Sequence, residues 1–198
     1  MNTTASDLRA RNLRTIGLLA ALFLLPLVAS FWLYYGTGWR PAGTAAHGTL
    51  IGPTPLPQVA LNDAIGGTAD PATFTENWAL VYVGDGACPE ACQRALYVAR
   101  QTRLALNQDM SRVKRVFLVT ENCCDRAWLE REHAGMVVLD AAHEDAQSLL
   151  DAFPRDAREH TLFVVDPLGN LMMRYDARQD PRGLLDDLKR LLKLSHIG

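Results

Sequence analysis

The chain has 198 residues, room for one cored domain with about 40 residues to spare. Its 20 basic and 22 acidic residues give a net charge of -2, and no Lys/Arg block interleaved with aromatics occurs, which argues against a nucleic-acid partner. Arg9, Arg11, Arg14 and Arg40 are the basic residues of the first 40 positions, so the remainder is mildly acidic.

Residues 1–14 form a short basic leader. Thr15 to Tyr35, "TIGLLAALFLLPLVASFWLYY", carries no charge over 21 residues. As a helix it would span about 31 Å, enough for a bilayer core. Three arginines precede it closely and only Arg40 follows closely, which predicts a cytoplasmic N-terminus with everything after Tyr35 across the membrane. Phe31, Trp32, Tyr34, Tyr35 and Trp39 gather at the exit end, where amphipathic rings suit the headgroup layer. Pro26 is tolerable as a kink. A cleaved signal peptide with its site after Ser30 is the competing reading. Both readings export the domain. In a bacterium its cysteines then face an oxidising compartment, and the anchor, favoured because the apolar run continues past Ser30 into the aromatic belt, makes the chain a single-pass protein of the inner membrane with a periplasmic C-terminal domain.

Residues 36–57, rich in Gly, Thr and Pro, read as a tether, and 58–198 as the domain. QVAL at 58–61 fits a short strand. "WALVYVG" at 78–84 fits a strand buried mid-sheet. A helix is predicted from Pro89 to about Asn107, with Ala95, Val98, Ala99, Thr102 and Leu106 on one face. Strands are predicted at 113–120 and 136–140, with helices around 126–133 and 144–153. A hairpin follows at 161–166 and 171–176. Arg182 to Leu194, with leucines at 184, 185, 188, 191, 192 and 194, reads as a closing amphipathic helix. The order predicts an α/β domain of thioredoxin-like plan, a central mixed sheet flanked by helices.

Cys88 and Cys92 fall where a buried strand meets a helix, in "GDGACPEACQRAL". The open amides and dipole of a helix N-terminus favour a thiolate there. With Cys88 opening the helix, a spacing of four places both sulfurs on one face, within reach of a disulfide or of two metal-ligand bonds. A purely structural staple is the bland alternative, and a five-residue loop would constrain the unfolded chain little.

These residues resemble the SCO (SCO/SenC-type) family of membrane-anchored, thioredoxin-fold copper chaperones used in assembling cytochrome c oxidase. The resemblance is carried by Cys-Pro-x-x-Cys after an apolar strand, the long helix and "HTLFVVDPLGNL", over about residues 45–194. "HGTLIGP", "CQRALYVARQTRLAL" and "CCDRAWLEREH" look like a smaller set of SCO-like proteins tied to proteobacterial oxidase assembly. The resemblance implies copper, Cu(I) or Cu(II), held by Cys88, Cys92 and His160, and an oxidase subunit or another assembly factor as partner. Soft thiolates suit Cu(I), and an added imidazole accepts Cu(II) as well. "EHT" at 159–161 stands where thioredoxins carry a cis-proline and a threonine beside the cysteine pair. The chain departs from the family in having Glu159 before the histidine, only five residues from His160 to Asp166, and "TENCCDRAW" in place of an Asp-Pro-rich loop.

Three functions stay open: copper delivery or thiol handling in oxidase assembly, thiol–disulfide exchange on exported cysteine proteins with Cys88 attacking and Cys92 resolving, and a non-catalytic assembly scaffold. Cys123 and Cys124, adjacent in sequence, could supply copper ligands, a resolving thiol or inert buried sulfur. A disulfide between neighbours closes a strained ring and is the less expected outcome. His47, His133, His143 and His196 read as surface residues, and Met172 and Met173 as core or edge residues of the hairpin.

Overall fold

The computed structural model describes residues 5–37, 46–66, 69–70 and 72–195. Trp39, Arg40 and His196 lie outside them. The chain divides into two compact units, Met1–Thr44 and Ala45–Gly198.

Among its described residues the first unit holds one helix, α1 (Ala5–Gly36), which contains Pro26 and begins ten residues before the uncharged run. It is long and apolar enough to cross a membrane by length and composition, as a membrane anchor or a signal sequence would be. Phe31 lies tilted against Tyr35 and Tyr34 edge-on to it, with ring centroids 4.5 and 4.8 Å apart.

The second unit is a mixed seven-stranded sheet. Its strands are β1 (Thr49–Pro55), β2 (Asn62–Asp63), β3 (Trp78–Gly84), β4 (Val113–Val119), β5 (Val137–Asp140), β6 (Thr161–Val165) and β7 (Asn170–Asp176), in the order β1-β7-β6-β3-β4-β5-β2. Its helices are α2 (Glu90–Ala105), α3 (Arg126–Glu132), α4 (Gln147–Asp151) and α5 (Pro181–Leu194). β3 runs parallel to β4 and antiparallel to β6, so the central strand joins the α/β half to the hairpin half. This is the thioredoxin-like α/β fold. Every residue of β3 from Trp78 to Val83 is buried, which is why it reads as an unbroken apolar run.

The pleat sorts β3 between two cores. Trp78, Leu80 and Tyr82 pack with α2 and α5, while Ala79, Val81 and Val83 pack with Leu149 of α4 and Phe153. The predicted face of α2 is buried at Ala95, Val98, Ala99 and Thr102, with Leu106 just beyond. On α5 the buried leucines are Leu184, Leu188 and Leu192; a side chain of that size contributes about 1.5–3 kcal/mol on burial. Asp180 caps α5 by accepting from Arg182 N–H at 3.0 Å, with Pro181 as the first helical residue.

Two expectations fail at the sheet edges. Residues 49–55, read as tether, form β1 and pair antiparallel with β7 through a bulge between Leu50 and Thr54. Gly52, Pro53 and Pro55 disguise it, because prolines are admissible on an edge strand whose outer side makes no ladder. Residues 58–61, read as a strand, are irregular. Val59 and Leu61 pack on the core without pairing, and the edge is closed by the two-residue β2 against β5.

Candidate functional site

The site grows from the carboxyl end of β3. After Gly84 the chain makes a tight turn in which Asp85 accepts twice: its Oδ1 from Ala87 N–H at 2.9 Å and its carbonyl from Cys88 N–H at 3.1 Å. Cys88 then adopts a left-handed conformation, φ +46°, rare for a residue with a Cβ. Pro89 occupies the N-cap position without a side-chain cap, so the first N–H groups of α2 remain open toward the turn. Cys88 therefore precedes the helix instead of opening it, while Cys92 lies in its first turn. Gln93 reaches back, its Nε2 donating to the Cys88 carbonyl at 3.1 Å.

Cys88 and Cys92 form a disulfide, Cα atoms 5.0 Å apart. Cys92 is fully enclosed and Cys88 is 4% exposed, so Cys88 is the sulfur nearer to a visitor. The wall beside them is Tyr82, whose hydroxyl donates to the Glu159 carbonyl at 3.1 Å. Burial, reinforced by Glu159 and Asp85, pushes its phenol up to about 12, so it is a neutral donor at any working pH. Glycine at 84 leaves room for this ring, since a Cβ there would stand 2.9 Å from it.

A second loop completes the wall. Gly86 N–H donates to the Glu121 carbonyl at 2.8 Å, Thr120 N–H donates to the Gly84 carbonyl at 2.9 Å, and Asn122 Nδ2 donates to Asp85 Oδ2 at 3.2 Å. Gly86 is buried, and a Cβ on it would stand 2.7 Å from the Cys123 Cα. Cys123 and Cys124 are joined to each other, so the four cysteines form two local disulfides. The neighbouring pair, the less expected outcome from sequence, closes where Asn122 takes a left-handed conformation, φ +46°. Cys123 is exposed; Cys124 is half-buried against the core cluster that includes Cys88 and Cys92.

His160 ends a 3-10 turn, Arg155–His160, that packs on α2 and β3. Its carbonyl accepts from Ala177 N–H at 2.7 Å, and its imidazole is one-third exposed, with Nε2 3.8 Å from Glu159 Oε1. It lines a polar groove with His47, Asp156, Arg174, Asp176 and Arg178. Among the described residues, no three His, Cys, Asp or Glu side chains are grouped to hold a metal ion. In this disulfide form, then, Cys88 and Cys92 are bonded to each other and the turn that ends in His160 packs on α2 and β3, with no ligand cage among the described residues.

Other sequence-predicted residues fall differently. His133 is a correction: it is buried, edge-on to the Trp128 ring at 4.8 Å, where burial, Arg100 and Arg115 push its imidazole down to about 4. His143 is exposed, with Nε2 3.1 Å from Asp140 Oδ2. His47 N–H and Gly48 N–H both donate to Asp187 Oδ2 at 2.8 Å, so His47 belongs to the folded unit and not to a tether. Met173 is buried and Met172 half-buried. Sequence reading missed Tyr82, Gln93 and Asn122 as parts of the site. Only the glycines of "GDG" signalled a crowded turn.

A disulfide at the open end of a helix favours exchange, because the thiolate released on attack meets unpaired N–H groups and the positive end of the helix dipole. The family model described as transmembrane-like, thioredoxin-like, C-terminal domain matches residues 78–195, more than half of the chain. No curated protein matches the sequence. Among solved structures, the apo Sco1 protein of Thermus thermophilus is 19% identical, with TM-score 0.61 over 76% of this chain and 99% of that one. Yeast Sco1 with copper bound is 15% identical, TM-score 0.59, over 76% and 95%. ScoI of Bradyrhizobium japonicum with copper bound is 17% identical, TM-score 0.52, over 73% and 100%. Likeness at these identities establishes the fold alone, a thioredoxin-like domain similar in structure to these Sco proteins.

Proposed function

We propose, from the premise that the chain belongs to the transmembrane-like, thioredoxin-like, C-terminal domain family, that it carries out thiol–disulfide exchange through Cys88 and Cys92 during maturation of cytochrome c oxidase. The observation that carries this reading is the closed Cys88–Cys92 bridge between the end of the central strand and the start of α2. In the reduced form the Cys88 thiolate attacks a partner's disulfide and forms a mixed disulfide, expelling one partner thiolate. Cys92 then attacks Cys88, releases the partner as a dithiol and restores the bridge, so two electrons and two protons pass to the partner. The partner of this reading is a cysteine-bearing oxidase subunit or assembly factor. α1 serves as a single-pass anchor of the inner membrane, residues 15–35 crossing it, with the N-terminus cytoplasmic and the domain periplasmic.

A second reading is copper delivery, with Cu(I) as cargo held by reduced Cys88, reduced Cys92 and His160 as part of a SCO-type function. The Tyr82–Glu159 hydrogen bond favours it, because it docks the turn ending in His160 on the strand that leads to Cys88. The copper-bound yeast and Bradyrhizobium structures of the same fold lend it support.

One pair of assays on the reduced full chain separates the two. Thiol exchange predicts reduction of a disulfide substrate that survives His160→Ala and is abolished by Cys88→Ser. Copper delivery predicts one equivalent of Cu(I), lost in Cys88→Ser and weakened in His160→Ala. A wild-type chain that neither reduces the substrate nor binds Cu(I) contradicts both.

A further inference from the structure

We infer that Cys123 and Cys124 are a second redox pair, which relays electrons from an external protein dithiol to the enclosed Cys88–Cys92 bridge. The inference rests on the thiol-exchange reading of Cys88 and Cys92 and adds how the bridge is recharged.

In the bridged form the exchange pair shows little sulfur to an incoming reductant, Cys92 wholly enclosed and Cys88 4% exposed, whereas the attack on a partner's disulfide starts from the reduced form. The neighbouring pair is different. Cys123 is exposed, while Cys124 is half-buried and packs on the core on the α2 side of the sheet, to which Cys88 and Cys92 also belong. The pair thus straddles the surface, Cys123 exposed with its Sγ 3.7 Å from the Ala64 carbonyl and Cys124 half-buried.

The two loops are built against each other. Gly86 lies two residues before Cys88, and its Cα is close enough to the Cys123 backbone that a side chain at 86 has no space. Gly86 N–H to Glu121 carbonyl and Asn122 Nδ2 to Asp85 Oδ2 fasten the contact on either side. On its far side the cysteine loop is fixed by Asp125, which caps α3 by accepting from Trp128 N–H at 3.0 Å. β3 and β4 pair in parallel with Gly84 opposite Val119, so the loops that follow them leave the sheet side by side, and the cysteine loop brings its disulfide to the exchange turn.

The transfer balances. A thiolate of the external dithiol attacks Cys123 Sγ, the Cys123–Cys124 bond breaks and Cys124 leaves as thiolate. The second external thiolate then attacks the mixed disulfide, releasing Cys123 and leaving the external protein oxidised. Cys124 next attacks Cys88 Sγ and expels Cys92. Finally Cys123 attacks Cys124, which closes the neighbouring disulfide again and frees Cys88. Two electrons and two protons have moved from the external dithiol to Cys88 and Cys92.

The test follows each pair by alkylation and mass mapping in the oxidised full chain, with reduced thioredoxin as the protein dithiol and dithiothreitol as the small one. In Cys123→Ser/Cys124→Ser, reduction of Cys88–Cys92 by thioredoxin is expected to slow by about tenfold or more, while dithiothreitol changes by less than about twofold. The dithiothreitol arm guards against a misfolded variant. In Cys92→Ser/Cys123→Ser, a Cys88–Cys124 cross-link is expected on mild oxidation. Equal thioredoxin rates with and without the neighbouring pair, or failure of that cross-link, overturns the relay alone. A Cys88–Cys92 bridge that resists both reductants in the wild-type chain overturns the exchange reading and the relay with it.

Discussion

The hydroxyl of Tyr82 donates to the carbonyl of Glu159 at 3.1 Å, so the strand that leads to Cys88 and the turn that ends in His160 are held as one piece. Tyr82→Phe removes that bond and leaves a carbonyl without its donor. Loss of a buried hydrogen bond of this kind costs about 1–2 kcal/mol, read as a lower urea midpoint with an unchanged slope. Copper affinity, if His160 is a third ligand, should weaken in the same variant. An unchanged midpoint and unchanged affinity would detach the turn from the site.

Asp187 is buried at 3% exposure and receives both His47 N–H and Gly48 N–H at 2.8 Å, pinning the entry to β1 onto α5. In Asp187→Ala two backbone donors lose a charged acceptor. The expected cost is about 2–4 kcal/mol, with amide exchange accelerating first over residues 47–51. Uniform exchange across the sheet would show that the clamp carries no local load.

Gly86→Ala should destabilise the folded domain by about 1–3 kcal/mol, because the added methyl meets the Cα of Cys123 at 2.7 Å and the Asn122 carbonyl at 2.8 Å. Both neighbours are backbone, so neither yields as a side-chain tip would. A thermal midpoint within error of wild type would mean that the two loops separate freely.

His133 gives a pH dependence with a fixed sign. Its folded value, about 4, lies below the usual 6.5, so the unfolded chain binds more protons between those limits. Stability from this residue is complete above about pH 6.5 and falls as the pH drops toward 4, by at most about 3 kcal/mol. His133→Gln should flatten that slope in urea titrations between pH 7 and 4.5. A wild-type slope that persists in the variant would assign it to other groups.

The interior strands and long helices were legible because their signals are local. β3 is apolar throughout, α2 shows its buried face at helical spacing, and α5 repeats leucine. β1 was illegible because its prolines deny it a strand signature, and only its pairing with β7 makes it one. His133 was read as a surface residue because nothing in "REHAG" announces the Trp128 ring beside it or the nearby charges of Arg100 and Arg115. Of the site, the spacing of Cys88 and Cys92 put both sulfurs within reach of a disulfide, and they form one. The contacts that shape it join residues far apart in the chain, Tyr82 to Glu159 and Gly86 to Cys123, and no spacing rule reports them.

The most direct measurement is a redox titration of the native full chain against dithiothreitol buffers, scoring Cys88 and Cys92 by differential alkylation. The account predicts a reversible two-electron step for this pair at a potential above about -300 mV, the region of exchangeable bridges. A bridge that opens only when the domain unfolds would contradict it and leave Cys88 and Cys92 a staple.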